Sequence, residues 1–290
     1  MERMYKIIEK RKLWFSISLI IILIGLGALA FKGLNLGIDF KGGTVITIKI
    51  GQEFNVEELR KSLEKYDTQI DVREIEGQEV TIRSNKITTE QVNQIFADVK
   101  AKYNLKDDAL RSIDTIGPTI GQELRKSAII ATLLATIGIL AYVTIRFELW
   151  SGLAAIVALI HDLLITLTVY AVLQIPVNSS FIAAMLTILG YSINDTIVVF
   201  DRIRENKKAG KYHDFETLAD ASITQTLARS INTVMTTLFT ITAIYLLGVP
   251  AIKEFALPLI IGIVSGAYSS IFIATPLWVL FEKKAGQKVA

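Results

Sequence analysis

The chain has 290 residues, 51% of them hydrophobic and 20% charged, with 31 Lys and Arg against 28 Asp and Glu. A net charge of +3 gives no electrostatic footprint for nucleic acid. The absence of cysteine excludes disulfides, thiol nucleophiles and Cys-ligated metal centres, and two histidines argue against a His-built one.

The apolar residues fall in blocks about as long as the ~20 residues that cross a bilayer, which excludes a wholly soluble enzyme and a disordered chain. Residues 1–12 are basic, with Arg3, Lys6, Lys10, Arg11 and Lys12, and lead into a first span at Leu13–Phe31. This start, with Ala28-Leu29-Ala30, has the outline of a signal peptide. Its apolar run, Leu13–Phe31, has 19 residues and exceeds the roughly 7–15 of such a region, so a retained anchor is expected.

Residues 32–126 differ in kind, with 15 Lys and Arg and 16 Asp and Glu. The pattern predicts strands at Gly43–Ile50, Gln69–Ile75, Glu79–Arg83 and near Leu110–Thr115, with a turn at Glu76-Gly77-Gln78. Helices are expected at Asn55–Tyr66 and Thr88–Tyr103, the second capped by Thr88 or Thr89 and apolar at Val92, Ile95, Phe96 and Val99. The order βαββαβ is that of a ferredoxin-like α+β domain.

Five further spans follow within residues 127–290, at Ala128–Ile145, Leu149–Leu173, Phe181–Phe200, Ile231–Val249 and Phe255–Phe281. Basic residues of short flanks stay on the cytoplasmic side. The N-terminus, the segment 201–228 with Arg202, Arg204, Lys207, Lys208 and Lys211, and the C-terminus with Lys283, Lys284 and Lys288 all fall on one side of a six-span protein. Both termini are therefore expected in the cytoplasm of a multi-pass membrane protein, and the α+β domain outside it.

Several motifs fail on context. Gly25-Leu26-Gly27-Ala28-Leu29-Ala30 fits a dinucleotide fingerprint but lies inside a span, and Gly262-Ile263-Val264-Ser265-Gly266 reads as close helix packing. There is no phosphate-binding G-x-x-x-x-G-K-[ST] loop and no H-E-x-x-H, and Asp195 follows Asn194 instead of the glycine an intramembrane aspartyl protease needs. The sequon Asn178-Ser179-Ser180 has meaning only in a glycosylating pathway.

Ionisable residues at membrane depth carry the chemistry, because each costs at least ~2.5–3.5 kcal/mol at a helix centre. Asp195 lies six residues before Asp201, ~9 Å inside the cytoplasmic boundary at 1.5 Å per residue. Arg229 opens the fifth span at matching depth, and His161-Asp162 sits near the middle of the third. Tyr191 and Ser192 flank Asp195 one turn back, while Asn194 and Thr196 point toward neighbouring helices. Burial favours a neutral carboxyl and a nearby guanidinium an ionised one, so an Asp195–Arg229 couple suits a proton relay. A permanent ion pair fixing helix register is the alternative. Adjacent residues on a helix point about 100° apart, so His161 and Asp162 do not both face one cavity squarely; a helix-to-helix hydrogen bond is expected for either, with proton conduction the alternative.

Leu36-Gly37-Ile38-Asp39-Phe40-Lys41-Gly42-Gly43-Thr44 resembles the signature that follows the first span in the SecD/SecF family of export proteins. Ile116-Gly117-Pro118-Thr119-Ile120-Gly121, Arg146-Phe147-Glu148 and Ala158-Leu159-Ile160-His161-Asp162 match further stretches. The run from Gly190 to Arg202 is typical of the family's SecF side. The resemblance implies a six-span half of a resistance–nodulation–division type transporter that assists the Sec translocon with the proton motive force. Protons are then the coupling ion and no cofactor is expected. Asp195 and Arg229 match the family's proton-relay positions, with Tyr191, Ser192, Asn194, Thr196, His161 and Asp162 as polar support. A SecD-like partner chain, the translocon, a translocating polypeptide and the lipid bilayer are the implied partners. A proton-coupled small-molecule or lipid exporter and a non-conducting scaffold are the rival functions.

Overall fold

A computed structural model describes residues 4–68, 70–75, 78–146 and 148–286. Gln69, Glu76, Gly77 and Phe147, and the flanking Arg3 and Lys288, lie outside the described residues. The chain forms two units, 36–130 and the remainder.

Helix α1 (Arg11–Lys32) is almost wholly apolar and ends at Gly33, which takes a positive φ. A short helix α2 (Ile38–Lys41) then ends on the glycine pair. Gly42 has φ 75°, and Gly43 has φ 136° with a Cβ position only 2.6 Å from the Ser84 carbonyl. Neither place suits a side chain. The strands are β1 (Gly43–Lys49), β2 (Asp71–Ile75), β3 (Glu79–Ser84) and β4 (Leu110–Ile116). Helix α3 (Val56–Leu63) follows β1 and α4 (Thr89–Tyr103) follows β3. The sheet is antiparallel in the order β2-β3-β1-β4, with Ile46 opposite Ile82 and Val72 opposite Ile82. Ile46, Ile48, Val80 and Ile82 pack with Leu59, Leu63, Val92, Ile95 and Val99 into a closed core. Asn55 caps α3 through the amides of Glu57 and Glu58, and the Gln91 side chain accepts from the Thr88 amide at the start of α4.

Helix α5 (Pro118–Arg146) begins at a proline, whose missing N–H costs nothing in a first turn. Gly121 on this helix lies against α2, where a Cβ would sit 3.0 Å from the Gly42 nitrogen. The two glycine motifs therefore meet. Helices α6 (Leu149–Leu173), α7 (Ser179–Lys208), α8 (Phe215–Leu247), α9 (Pro250–Ser269) and α10 (Thr275–Lys284) complete the chain, with a π-helical segment at Ser270–Ala274. Six helical stretches are long and apolar enough to cross a membrane, as the sequence predicts, the last running through α9 and α10. Segment 201–228 is mostly helical: α7 continues to Lys208 and α8 starts at Phe215, so the connection is 209–214.

Each end of the bundle is closed by specific contacts. At one end Asp220 accepts from the amides of Ile7 and Ile8, and Glu216 pairs with both Arg11 and Lys283 at 2.7 Å. The N-terminal segment, the start of α8 and the end of α10 thus lie together. At the other end the Val177 amide donates to the Asn35 carbonyl at 2.8 Å, and Asn35 donates to the Gln174 carbonyl at 3.0 Å. Asn178 of the sequon is buried, capping α7 at the Phe181 amide and donating to Glu254.

Candidate functional site

The middle of α7 is pressed onto α9. A Cβ on Gly262 would lie 2.3 Å from Ile188 Cδ1, and one on Gly266 would lie 3.1 Å from Ser192 Cβ. Two small residues one turn apart let the backbones approach, as the G-x-x-x-G pattern predicts. Asp195 rides on this stretch and is 3% exposed. Its Oδ2 has no hydrogen-bond partner among the described residues. Its neighbours are engaged: Thr196 Oγ1 lies 2.8 Å from Ser270 Oγ on the π-helical segment, and Tyr191 Oη donates to Thr237 Oγ1 on α8 at 2.8 Å.

Arg229 does not pair with Asp195. It is exposed and lines a cavity of about 570 Å³ between α7 and α8, with Asn194, Asp201, Arg202, Glu205, Gln225 and Thr226. The permanent ion pair is thus not formed in this structure. Asn194 and Arg229 line the same cavity, and Asp195 lies on the buried side of α7.

His161 and Asp162 each make the helix-to-helix hydrogen bonds expected of them, His161 to α1 and Asp162 to α7 and α9. They also meet each other and form one centre. The imidazole folds back so that Nδ1 lies 3.0 Å from Asp162 Oδ1, and Nε2 lies 2.9 Å from Ser18 Oγ on α1. The 100° between adjacent positions governs Cα–Cβ directions, and the length of the imidazole overcomes it. Asp162, 1% exposed, accepts from Ser265 Oγ at Oδ1 (2.7 Å) and from Ser192 (2.6 Å) and Ser269 (2.7 Å) at Oδ2. Tyr268 stacks on His161 and donates to the Trp14 carbonyl at 2.9 Å. Helices α1, α6, α7 and α9 are tied through this carboxylate. The connectivity Ser18–His161–Asp162 is that of a hydrolytic triad. Ser18 is 5% exposed with Tyr268 beside its hydroxyl, so that hydroxyl serves as a hydrogen-bonding link.

Sequence reasoning missed Ser18, Ser265, Ser269, Ser270 and Tyr268. The available signal was Ser265 inside the G-x-x-x-G run and Ser269 one turn after it. No group of three or more His, Asp or Glu able to hold a metal occurs among the described residues.

Residues 95–284 match the family model "Protein export membrane protein SecD/SecF, C-terminal" and residues 27–53 match the "SecD/SecF GG Motif". The chain is 41% identical over 271 residues to the protein translocase subunit SecF of Haemophilus influenzae, covering 91% of this chain and 82% of that protein. It is 39% identical over 289 residues to the SecF subunit of Acidaminococcus fermentans, covering 97% and 98%. The crystal structure of SecDF, a translocon-associated membrane protein from Thermus thermophilus, superposes with a TM-score of 0.88 at 34% identity. That match covers 97% of this chain and 39% of the SecDF chain.

Proposed function

The chain belongs to the SecD/SecF protein-export family, and from that premise we propose that it is a SecF-type subunit of Sec-dependent protein translocation, carrying part of a proton path. The unit 36–130 is read as a ferredoxin-like domain on the outer side of the cytoplasmic membrane, with both chain termini inside. The observation that carries the proton path is Asp195: a carboxyl 3% exposed, with one oxygen unpartnered, on a helix whose adjacent residue Asn194 lines a cavity shared with Arg229.

A buried polar atom without a partner is costly, so it marks a group kept for a task. An ionised Asp195 attracts the Arg229 guanidinium from the cavity, and a protonated one releases it. Alternation between these states moves α8 against α7, and the motion reaches the outer domain, which grips the emerging polypeptide. One charge moved through 100 mV supplies about 2.3 kcal/mol, enough to bias such a two-state contact.

The exposed polar groups Asn194, Arg229 and Asn232 at membrane depth favour a protein neighbour over lipid. A SecD-like chain is that neighbour in our reading, and its own membrane carboxylate completes the path. The test is export in membrane vesicles: Asp195→Asn abolishes stimulation by the proton motive force while insertion and association with the partner persist. Undiminished stimulation rejects the relay and leaves a scaffold.

A further inference from the structure

The relay gives no task to the second carboxylate at membrane depth. Asp162 is faced by His161 from its own helix, Ser192 from α7, and Ser265 and Ser269 from α9, while α1 reaches it through Ser18 and His161. His161 and Tyr268 are the titratable groups in this shell.

Ser192 is the informative partner. It lies three residues before Asp195 on α7, 2% exposed, with its Oγ 2.6 Å from Asp162 Oδ2. Its other side lies against Gly266, where even a methyl group would be 3.1 Å away. Thr196, one residue after Asp195, is held by Ser270 at 2.8 Å. The α7 backbone is therefore gripped at positions −3 and +1 around Asp195, whose own Oδ2 is left unpartnered. A helix held at these two points can neither rotate nor slide to give that oxygen a partner.

From this geometry we infer that Asp162 is a positioning residue that acts through Ser192 to hold Asp195 in its unpartnered seat, and so sets how readily Asp195 exchanges its proton. The consequence for transport rests on the relay reading; the positional coupling does not.

The experiment uses the full chain with its partner in membrane vesicles. A hydrophobic carbodiimide, which attacks protonated carboxyls, is the probe, and the rate of modification at Asp195 is read from the mass of its peptide. Asp162→Asn keeps the shape but places an NH2 donor against serine hydroxyls that need an acceptor. Ser192→Ala removes only the link on α7. Each is expected to change the Asp195 rate by about twofold or more, the lower end of couplings between contacting residues. The double variant should match the more severe single one, because the influence passes through Ser192. His161→Gln serves as a control for the neighbouring titratable group.

Unchanged rates in both single variants overturn the inference, and so do multiplicative effects in the double variant. If Asp162→Asn fails to accumulate in the membrane, Ser192→Ala decides alone, and an unchanged rate there is a refutation. Failure of the relay is separate: it is seen when Asp195→Asn keeps proton-driven export, whatever the modification rates are.

Discussion

Substituting Gly262 by alanine tests whether the close contact of α7 and α9 builds the site. The added Cβ would fall 2.3, 2.4 and 2.8 Å from the Cδ1, Cγ1 and Cγ2 atoms of Ile188, which is 1% exposed. Three sub-van der Waals contacts with one buried side chain cannot be relieved by a rotation into free space, so the helices must part or Ile188 must leave its rotamer. Overpacking of this kind costs about 1–3 kcal/mol. Gly138→Ala is the matched control, since nothing lies within 4 Å of its added Cβ. Relief of glycine's backbone entropy should make that change neutral or stabilising by up to about 1 kcal/mol. Reversible unfolding in bicelles measures both. Adding Ile188→Val removes the Cδ1 methyl, the nearest atom, and should recover part of the loss even though Ile→Val alone costs about 0.5–1.5 kcal/mol. If Gly262→Ala is as stable as Gly138→Ala, or if Ile188→Val deepens the loss additively, the packing argument is wrong.

Other outcomes follow from single contacts. Asp214→Ala removes the N-cap of α8, where Oδ1 accepts from the Thr217 amide at 2.8 Å, and should cost about 1 kcal/mol in the same unfolding assay. Gly43→Ala places a Cβ 2.6 Å from a backbone oxygen at φ 136° and should cost about 1–3 kcal/mol, read as reduced folded yield and earlier proteolysis between residues 36 and 130. The Asp98 carboxyl is held below the usual carboxylate range by the Lys65 ammonium at 2.6 Å and by the Tyr66 hydroxyl. A depressed value stabilises the fold above the unfolded-state pKa of about 3.9 and is lost as pH falls through the folded value. Asp98→Asn should therefore lower the melting temperature slightly at neutral pH, with the difference closing in acid and shrinking in high salt because the pair is half exposed.

The spans were legible because the cost of polar groups in hydrocarbon forces long apolar runs, and the α+β unit because Val92, Ile95 and Val99 recur at helical spacing and are buried. Asp195 was legible from its depth alone. Its relation to Arg229 was not: equal depth places two residues at one level, but the rotation of each helix about its axis decides which side each faces, and here Arg229 lines a cavity with Asn194 while Asp195 is buried on another side of α7. The Asp162 centre was hidden for a different reason. Its donors are serines, common in membrane helices, and they lie 30, 103 and 107 residues from Asp162 in sequence, on α7 and α9. The π-helical segment depends on Pro276, which offers no N–H to the preceding turn, and on the Thr275 hydroxyl, which satisfies the Ser270 carbonyl at 2.9 Å.

Proton flux decides the central claim. Proteoliposomes that hold the full chain with its SecD-like partner and a pH-sensitive dye, given a membrane potential, should acidify on one side at a rate that falls to background in Asp195→Asn and is restored by the reverse substitution. Flux equal to that of the unaltered chain in Asp195→Asn, at equal incorporation, contradicts the account.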